Sequence, residues 1–393
     1  MALDVAAIQT SLRAEGLDGW LLYDFHGSNP IAVQLAGLGD GRHMTTRRWY
    51  YLIPANGTPR GLVHAIERHN LDALPGERIV YAGRQQLDAG LDRLLSGMKR
   101  IAMEYSPMCA IPYVSRVDAG TAEAVRARGV EILSSGDLVQ RFEAAWTDAQ
   151  LDSHRTASEA LYRIKDRAFE ETASVLQRGQ PWTEFDLQQK MAAWFAEEGL
   201  ISDSAPVVAI GANAGNPHYL PQAAGSRAIV ADEVLLLDLW GKLDRPGAVF
   251  ADITWVGMTS SRVPDAVATA FGAVADARDA AVRTVEEAAA ERRDVRGWEV
   301  DRAARAVLVA AGYGDHILHR TGHSLGESVH GNGVHLDDYE THDERRILPG
   351  TGFTVEPGVY FDTFGIRSEI NVFRAEYAAL VTGPRQTEIV TLG

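Results

Sequence analysis

Four acidic residues interrupt otherwise apolar stretches that have the hydrophobicity of β-strands. Asp238 follows "VLLL", Asp252 lies in "VFADITWV", Glu356 interrupts "FTVEPGVY" and Glu369 lies in "GIRSEINV". Asp and Glu are unfavourable in strands, and a buried carboxylate is costly without a partner. One such acid is more often solvated or hydrogen-bonded than a metal ligand, but four together weaken that interpretation.

A histidine-rich stretch, "HRTGHSLGESVHGNGVH", allows two interpretations. Its "GHSLG" segment matches the G-x-S-x-G turn of some hydrolases, which would make Ser324 a nucleophile. Alternatively, His323 is a metal ligand. A serine turn needs a strand before it and a distant histidine after it, but "DHILHRT" is a poor strand and His330 and His335 follow closely. We therefore favour the metal interpretation.

Cations are required if the four carboxylates and one imidazole converge. Two carboxylates about 4 Å apart repel each other by roughly 4 kcal/mol at an effective dielectric constant of about 20. Two divalent ions balance four carboxylates and make a bound water acidic. The ligand set contains oxygen and nitrogen but no thiolate, which favours manganese, cobalt or zinc.

The length of the chain, 393 residues, predicts two domains. Residues 1–147 alternate between helical and strand-like segments, with a hairpin around Asn56 and Gly57, which predicts an α/β domain with a mixed or parallel sheet. Residues 148–393 begin with a long amphipathic helix and contain the two acid-bearing hairpins, which predicts an α+β domain. Further helices are predicted near residues 183–198, 263–292 and 298–311.

Composition disfavours several classes of partner. The chain has 38 basic and 53 acidic residues, a net charge of −15, which disfavours nucleic acid and anionic membranes. Cys109 is the single cysteine and excludes an internal disulfide. The segment "MALDVAAIQTSLRAEGLDGW" has no targeting or membrane-spanning pattern. A cytoplasmic protein is expected.

The motifs, taken in order, resemble those of the creatinase/prolidase/aminopeptidase P metallopeptidases. Asp238, Asp252, "HxxGHxxGxxxH", "VEPG" and "GxRxE" are similar to the dinuclear metal site of that family, and "GANAGNPHY" is similar to the segment of its first substrate histidine. The first half of the chain is similar to the accessory domain of the family. The resemblance implies that residues 148–393 form a catalytic domain of the pita-bread fold, with a curved antiparallel sheet.

The resemblance implies a role for each proposed ligand. Asp238 chelates one metal ion, His323 and Glu356 bind the other, and Asp252 and Glu369 bridge both. A hydroxide held between the ions attacks the scissile carbonyl, and Glu356 also relays its proton.

Further residues are implicated around the metal ions. By the resemblance, His218 and His330 bind and stabilise the reacting amide, and His319 is a candidate for the substrate pocket. Arg367, two positions before Glu369, is a natural partner for a bridging carboxylate.

The resemblance implies a peptidase that cleaves the imide bond before proline, in Xaa-Pro dipeptides, with two divalent ions that we expect to be manganese. Cobalt and zinc are alternatives. A dipeptidase must anchor the free carboxylate of its substrate, and we assign this to Arg346, with the adjacent Arg345 as the alternative. Proteins of this kind associate through the accessory domain, so a homodimer is expected.

Other functions remain open. An enzyme similar to aminopeptidase P would act on longer peptides. A metal-free creatinase-like hydrolase or a binding module on the same scaffold is a second possibility, and a serine hydrolase using Ser324 is a third. Three departures from the family bear on substrate preference. The first is the spacing of the two aspartates, which are 14 positions apart. The second is that Val249 stands where relatives have tyrosine and Trp255 where they have arginine. The third is that Glu327 and Gly331 stand where the histidine signature has an apolar residue and an acid.

Overall fold

The computed structural model describes residues 3–39 and 43–393. The chain divides into two units, Met1–Glu143 and Ala144–Gly393. The predicted domain boundary, after residue 147, falls where a long helix begins at Asp148. In chain order, the elements of the first unit are α1 (Val5–Ala14), β1 (Gly19–Asp24), α2 (Pro30–Leu35), β2 (Trp49–Pro54), β3 (Arg60–His64), β4 (Glu77–Tyr81), α3 (Arg84–Leu95), β5 (Arg100–Met103), α4 (Ala119–Arg126), β6 (Glu131–Ser134) and α5 (Gly136–Val139).

The first unit is built on a mixed sheet with the strand order β4-β3-β2-β1-β5-β6. The pairs β1/β2 and β2/β3 are antiparallel, and the pairs β3/β4, β1/β5 and β5/β6 are parallel. The predicted hairpin joins β2 to β3, and Gly57 in its turn has φ +95°, a conformation that favours glycine. The predicted α/β arrangement with a mixed sheet is therefore present.

Helices cover both faces of this sheet. Trp20 and Leu22 of β1 pack with side chains of α1 and α2, whereas Leu21 and Tyr23 pack with side chains of α3 and α4. Because side chains alternate along a strand, a strand covered on both faces is apolar throughout. The run "GWLLYD" of β1 lacks polar alternation because both faces of the strand are covered.

The second unit contains the remaining elements. They are α6 (Asp148–Gln177), α7 (Glu184–Glu197), β7 (Leu200–Ile201), β8 (Val207–Ile210), β9 (Val234–Leu243), β10 (Ala251–Met258), α8 (Asp265–Ala290), α9 (Gly297–Ala310), β11 (Ser324–Leu325), β12 (Gly352–Val355), β13 (Gly358–Tyr360), β14 (Gly365–Arg367), β15 (Ile370–Arg374), β16 (Ala379–Val381) and β17 (Val390–Thr391). The predicted helices are present within two or three residues of their predicted ends. Every helix in the described residues is too short or too polar to span a membrane.

The strands of the second unit form separate ladders. One has the order β17-β10-β9-β7, with β8 also paired to β9, a second has the order β11-β12-β15-β16, and β13 pairs with β14. The pairs are antiparallel except for β10 and β17, which are parallel. The two predicted hairpins are the β9–β10 pair and the longer β12–β15 segment.

The β9–β10 hairpin separates two hydrophobic clusters. Leu235 of β9 packs with side chains of α6 and α7, and Leu236 packs on the other face, with side chains of α8 and α9. Ile253 of β10 lies on the α6 and α7 side. Because side chains alternate, Asp238 and Asp252 both lie on the opposite side, with Leu236.

Hydrogen bonds join β10 to β15 and to the residue directly before it. The backbone N–H of Glu369 donates to the carbonyl of Thr254 at 3.1 Å, and the backbone N–H of Asp252 donates to the side-chain oxygen of Asn371 at 3.0 Å. These contacts bring the acids of the two hairpins into one region.

Candidate metal centre

The register of β9 and β10 makes two proposed ligands neighbours. Asp238 is opposite Thr254, and Asp252 is opposite Trp240. Opposed side chains of an antiparallel pair lie on the same face, and residues two positions along are diagonal neighbours. Asp238 and Asp252 are therefore diagonal neighbours across the hairpin, and the turn of residues 244–250 takes up their long spacing.

The other three proposed ligands lie on connected strands. Glu356 directly follows β12, Glu369 lies between β14 and β15, and His323 directly precedes β11. Since β12 pairs with both β11 and β15, these positions are close in space. The backbone N–H of His323 also donates to the hydroxyl of Thr354 at 2.9 Å, and that hydroxyl lies 3.2 Å from Glu356 Oε1.

The imidazole of His323 points its Nε2 atom at two carboxylates. This atom lies 3.6 Å from Asp252 Oδ2 and 3.5 Å from Glu356 Oε1. The Nδ1 atom donates to the carbonyl of Ser324 at 3.1 Å, so Nε2 of the neutral ring carries the lone pair. Desolvation lowers the pKa of His323, although the charge of Glu356 opposes this. The neutral ring is the form that binds metals.

Asp252 and Glu369 are buried carboxylates that repel each other. Desolvation raises the pKa of Asp252 well above its ordinary value, and the charges of Asp238 and Glu356 raise it further. Desolvation likewise raises the pKa of Glu369, followed by the charges of Asp252, Glu356 and Asp238. The protein itself therefore gives these acids too little positive charge to ionise easily.

A divalent cation fits this arrangement. Asp252, His323 and Glu369 each offer a ligand atom, and these atoms all lie within 4.8 Å of one another. Within residues 3–39 and 43–393, Asp252 Oδ1 and Glu369 Oε1 are buried without a hydrogen-bond partner. Buried acceptors normally have a partner because an unsatisfied one is costly. Oxygen and imidazole atoms left open together have the chemistry of a divalent metal site.

Arg367 pairs with a different acid from the one expected. Its Nη2 atom donates to Asp238, which the resemblance makes a ligand of one ion, and not to a bridging carboxylate. Its Nε atom donates to the hydroxyl of Thr254 at 3.0 Å, and that hydroxyl donates to Glu369 Oε2 at 2.7 Å. The prediction of a direct contact with a bridging acid is corrected, because Thr254 lies between the two side chains.

His330 lies beside His323, with ring centroids 4.4 Å apart at an interplanar angle of 78°. Its pKa is lowered first by desolvation and then by the charges of His323, Arg320 and His218, although part of the residue stays exposed. His218 is therefore within electrostatic range of His330. It is exposed and follows the 3₁₀ helix Gly211–Gly215.

His319 is held by Tyr360. Its Nδ1 atom donates to the carbonyl of Arg320 at 2.7 Å, so Nε2 accepts from the hydroxyl of Tyr360, at 2.6 Å. Arg367 donates to the same hydroxyl at 3.1 Å. Desolvation lowers the pKa of His319 to about 4, and the charge of Arg367 lowers it further. A chain of hydrogen bonds thus runs from His319 to the arginine that binds Asp238.

The two candidate arginines have different surroundings. Arg345 is buried, binds both oxygens of Asp343 at 2.9 and 2.6 Å, and donates to the carbonyl of Asn332 at 2.7 Å. Arg346 is half-buried, with its Nη1 atom 3.8 Å from Asp294 just before α9. Arg345 is therefore bound within its own loop, and the side chain of Arg346 is the more exposed of the two, at 27% against 4%.

Ser324 does not have the geometry of a nucleophile turn. It lies in the short strand β11, is buried, and accepts a hydrogen bond from the backbone N–H of Gly333 at 3.1 Å. Residues 326–393 are all described and contain no helix, whereas the turn of a serine hydrolase leads from a strand into a helix.

The two unusual residues, Val249 and Trp255, are both directed into hydrophobic surroundings. Trp255 is next to Thr254 in β10 and so lies on the face away from Asp252. The Nζ atom of Lys165 lies 3.7 Å from the centre of its ring. Val249 is buried in a cluster with Phe250 and others.

Sequence reasoning missed several residues that hold the proposed ligands. Thr254 and Asn371 follow Asp252 and Glu369 by two positions, so the alternation of strand side chains was a signal for both. Glu184 was also missed. It is fully buried and binds the segment that carries His218.

Comparison with known proteins gives a family and a fold. A model of metallopeptidase family M24 matches residues 157–376. The probable dipeptidase PepE of Mycobacterium bovis is 27% identical over 268 residues, which cover 68% of this chain and 65% of that protein. The chain therefore matches just under two thirds of the length of that relative. The Xaa-Pro dipeptidase of Lactobacillus helveticus is 28% identical over 182 residues, 44% of this chain and 43% of that protein.

A solved structure resembles the whole chain. The crystal structure of dipeptidase PepE from Mycobacterium ulcerans matches with a TM-score of 0.70 and 24% identity, over 99% of this chain and 96% of that one. At this identity the likeness concerns the fold.

Proposed function

Because the chain belongs to metallopeptidase family M24, we propose that it is a dinuclear metal-dependent dipeptidase that hydrolyses the imide bond of Xaa-Pro dipeptides. One observation carries the proposal. The lone pair of His323 converges with Asp252 and Glu369, and each of these buried carboxylates keeps one oxygen without a partner among the described residues.

The proposed ligands divide according to their contacts. We assign Asp252 and Glu369 to both ions, since each has an oxygen left open. Asp238 would bind one ion, and His323 and Glu356 would bind the other. The ligands are oxygen and imidazole nitrogen, which suits manganese best and also suits cobalt or zinc. When bound, such ions supply a water of lowered pKa and polarise the carbonyl of the scissile bond.

The remaining roles belong to side chains around the ligands. Glu356 is suited to hold the proton of the attacking water, because 15% of its side chain is exposed while Oε1 lies 3.5 Å from His323 Nε2. His218 and His330 are proposed to bind the reacting amide, since both keep exposed surface and His330 lies beside His323. His319, held by Tyr360, is proposed to form a wall of the substrate pocket.

The substrate class rests on the names of relatives and on one arginine. The relatives include a dipeptidase and an Xaa-Pro dipeptidase. We propose that Arg346 anchors the free carboxylate of a dipeptide, because its side chain is the more exposed of the two candidates. The alternative is an Xaa-Pro aminopeptidase that acts on longer peptides. We further propose the pita-bread fold for residues 148–393, an accessory domain at residues 1–147, and a homodimer.

The test compares matched Xaa-Pro dipeptides and tripeptides with protein loaded with manganese, cobalt or zinc. We expect hydrolysis of the dipeptides, loss of activity with a chelator, and no activity or bound metal in Asp252→Ala. Hydrolysis of only the longer peptides would identify an aminopeptidase. Protein that binds no metal, or that is indifferent to chelators, would favour a metal-free hydrolase or binding module.

A further inference from the structure

Glu184 is a buried acid outside the proposed metal centre. It is the first residue of α7 and is fully buried. An acid in the first turn of a helix ordinarily caps it or interacts with its dipole. Here Thr183 and Asp186 already form the cap, since Asp186 Oδ2 accepts from the backbone N–H of Thr183 at 2.9 Å and from its hydroxyl at 2.8 Å. Glu184 is therefore available for another role.

Its carboxylate binds both sides of the segment that carries His218. Before His218, the backbone N–H of Ile210 donates to Oε1 at 2.8 Å, and the side-chain amide of Asn213 lies 3.0 Å from both oxygens. Directly after His218, the hydroxyl of Tyr219 donates to Oε2 at 2.5 Å. Hydrogen bonds to a charged acceptor are stronger than neutral ones and are frequently shorter.

The same carboxylate fixes the far end of this segment. The backbone N–H of Arg227 donates to Oε2 at 2.9 Å, and the backbone N–H of Glu184 donates to the carbonyl of Arg227 at 3.0 Å. The guanidinium of Arg227 donates to the carbonyl of Ile210 at 2.8 Å. Both ends of the segment from 210 to 227 are thus held at one point.

The segment next to His218 has little regular structure of its own. Beyond the 3₁₀ helix Gly211–Gly215, the backbone N–H of His218 donates to the side-chain oxygen of Asn216 at 3.1 Å. Gly215 packs so closely on Phe361 that a Cβ atom there would lie 2.1 Å from its carbonyl oxygen. The position of His218 therefore depends on contacts to other elements.

We infer that Glu184 is a positioning residue, which fixes the segment 211–219 and so holds His218 at the site where the substrate amide reacts. The inference rests on the proposed function for the role of His218. Glu184 and the hydroxyl of Tyr219 then affect turnover through His218, and neither contacts metal or substrate.

The sharpest test removes one hydroxyl. Tyr219→Phe deletes the contact adjacent to His218 and keeps the ring. We expect kcat on an Xaa-Pro dipeptide to fall roughly tenfold with KM changed by less than about twofold, since misplacement of a catalytic group lowers turnover. Bound manganese should be unchanged, and amide hydrogen exchange should accelerate in peptides from 211–219. Glu184→Gln should give the same pattern with larger changes. Tyr51→Phe is the control, because it removes a tyrosine hydroxyl bond, to the carbonyl of Pro75 at 2.7 Å, from the first unit.

A double-variant cycle separates positioning from general stability. In a His218→Ala background, Tyr219→Phe should change kcat by less than about twofold, because the group it positions is gone. The inference would be overturned if Tyr219→Phe lowered kcat equally in the wild-type and His218→Ala backgrounds. It would also be overturned if amide hydrogen exchange in residues 211–219 were unchanged in both Tyr219→Phe and Glu184→Gln. Failure of the proposed function has a different signature. His218→Ala would then leave kcat unchanged, and the catalytic part of the inference would fall with it.

Discussion

The hydroxyl of Thr254 donates to Oε2 of Glu369 at 2.7 Å, while Oε1 of the same carboxylate is buried and has no partner among the described residues. Thr254 also accepts from the Nε atom of Arg367 at 3.0 Å. One threonine thus orients a proposed bridging ligand and links it to the arginine that binds Asp238. Residues that orient a metal ligand in this way affect metal affinity although they do not touch the ion.

Thr254→Val should weaken metal binding while the fold is kept. Valine has nearly the same shape but cannot donate to Glu369 or accept from Arg367. We expect the dissociation constant for manganese, measured by titration calorimetry, to rise roughly 10- to 100-fold. Thr172→Val is a matched control, because Thr172 is fully buried and donates to the carbonyl of Ala168 at 2.8 Å within α6. Equal affinities in the two variants would contradict this role for Thr254.

Glu369→Gln should stabilise the metal-free protein and abolish its stabilisation by metal. The raised pKa of Glu369 means that folding at pH 8 costs free energy, whether the group takes up a proton or stays ionised beside Asp252. Glutamine has neither cost, so the free energy of unfolding without metal should rise. Added manganese should then raise the melting temperature of the wild type only. Asp276→Asn, at an exposed position of α8, should change stability by less than about 0.5 kcal/mol.

Acidic residues within apolar strands indicated the proposed carboxylate ligands from the sequence alone. Asp238 and Asp252 stand out because each follows an apolar run. The same two runs predicted the strands of the hairpin that joins them. Extending the two-residue period would also have found Thr254 and Asn371. The direct partner of Arg367 was predicted wrongly because the period gives the face of a strand and not which neighbouring side chain intervenes.

Contacts between distant segments could not be read from the sequence. Glu184 resembles an ordinary acid in the first turn of a helix, and its partners lie between 26 and 43 positions away. Arg345 and Arg346 look alike in sequence, but the loop brings Asp343 onto Arg345, which binds its two oxygens at 2.9 and 2.6 Å. Such choices depend on turn geometry and tertiary packing.

Ser324→Ala should leave turnover within about twofold of the wild type, and a fluorophosphonate should not label either protein. The hydroxyl accepts from the backbone N–H of Gly333, so its loss leaves a buried donor unpaired. The free energy of unfolding should therefore fall by about 1 to 3 kcal/mol. Loss of activity at unchanged metal content, together with labelling of the wild type, would revive the serine mechanism.

His154 should make the second unit sensitive to acid. It is fully buried, with Nδ1 donating to the carbonyl of Phe250 at 2.8 Å and Nε2 accepting from Thr382 at 2.7 Å. Desolvation lowers its pKa from 6.5 to about 4. Well above pH 6.5 the ring is neutral in both folded and unfolded chains, so there it has no effect on pH dependence. As the pH falls from 6.5 to about 4, the unfolded chain takes up a proton that the folded chain does not, and stability is lost.

The size and the source of this loss can be measured together. The difference between the pKa of 6.5 in the unfolded chain and about 4 in the folded chain corresponds to a loss of unfolding free energy on the order of 3 kcal/mol once the pH has fallen to about 4. His154→Asn keeps a donor for Phe250 but cannot titrate, so its unfolding free energy, followed by denaturant titration at several pH values, should fall less steeply below pH 6.5. His69→Asn is the control, since His69 is an exposed histidine of the first unit that pairs with Asp72 at 2.7 Å. Parallel curves for wild type and His154→Asn would show that other groups, and not this buried imidazole, determine the acid sensitivity.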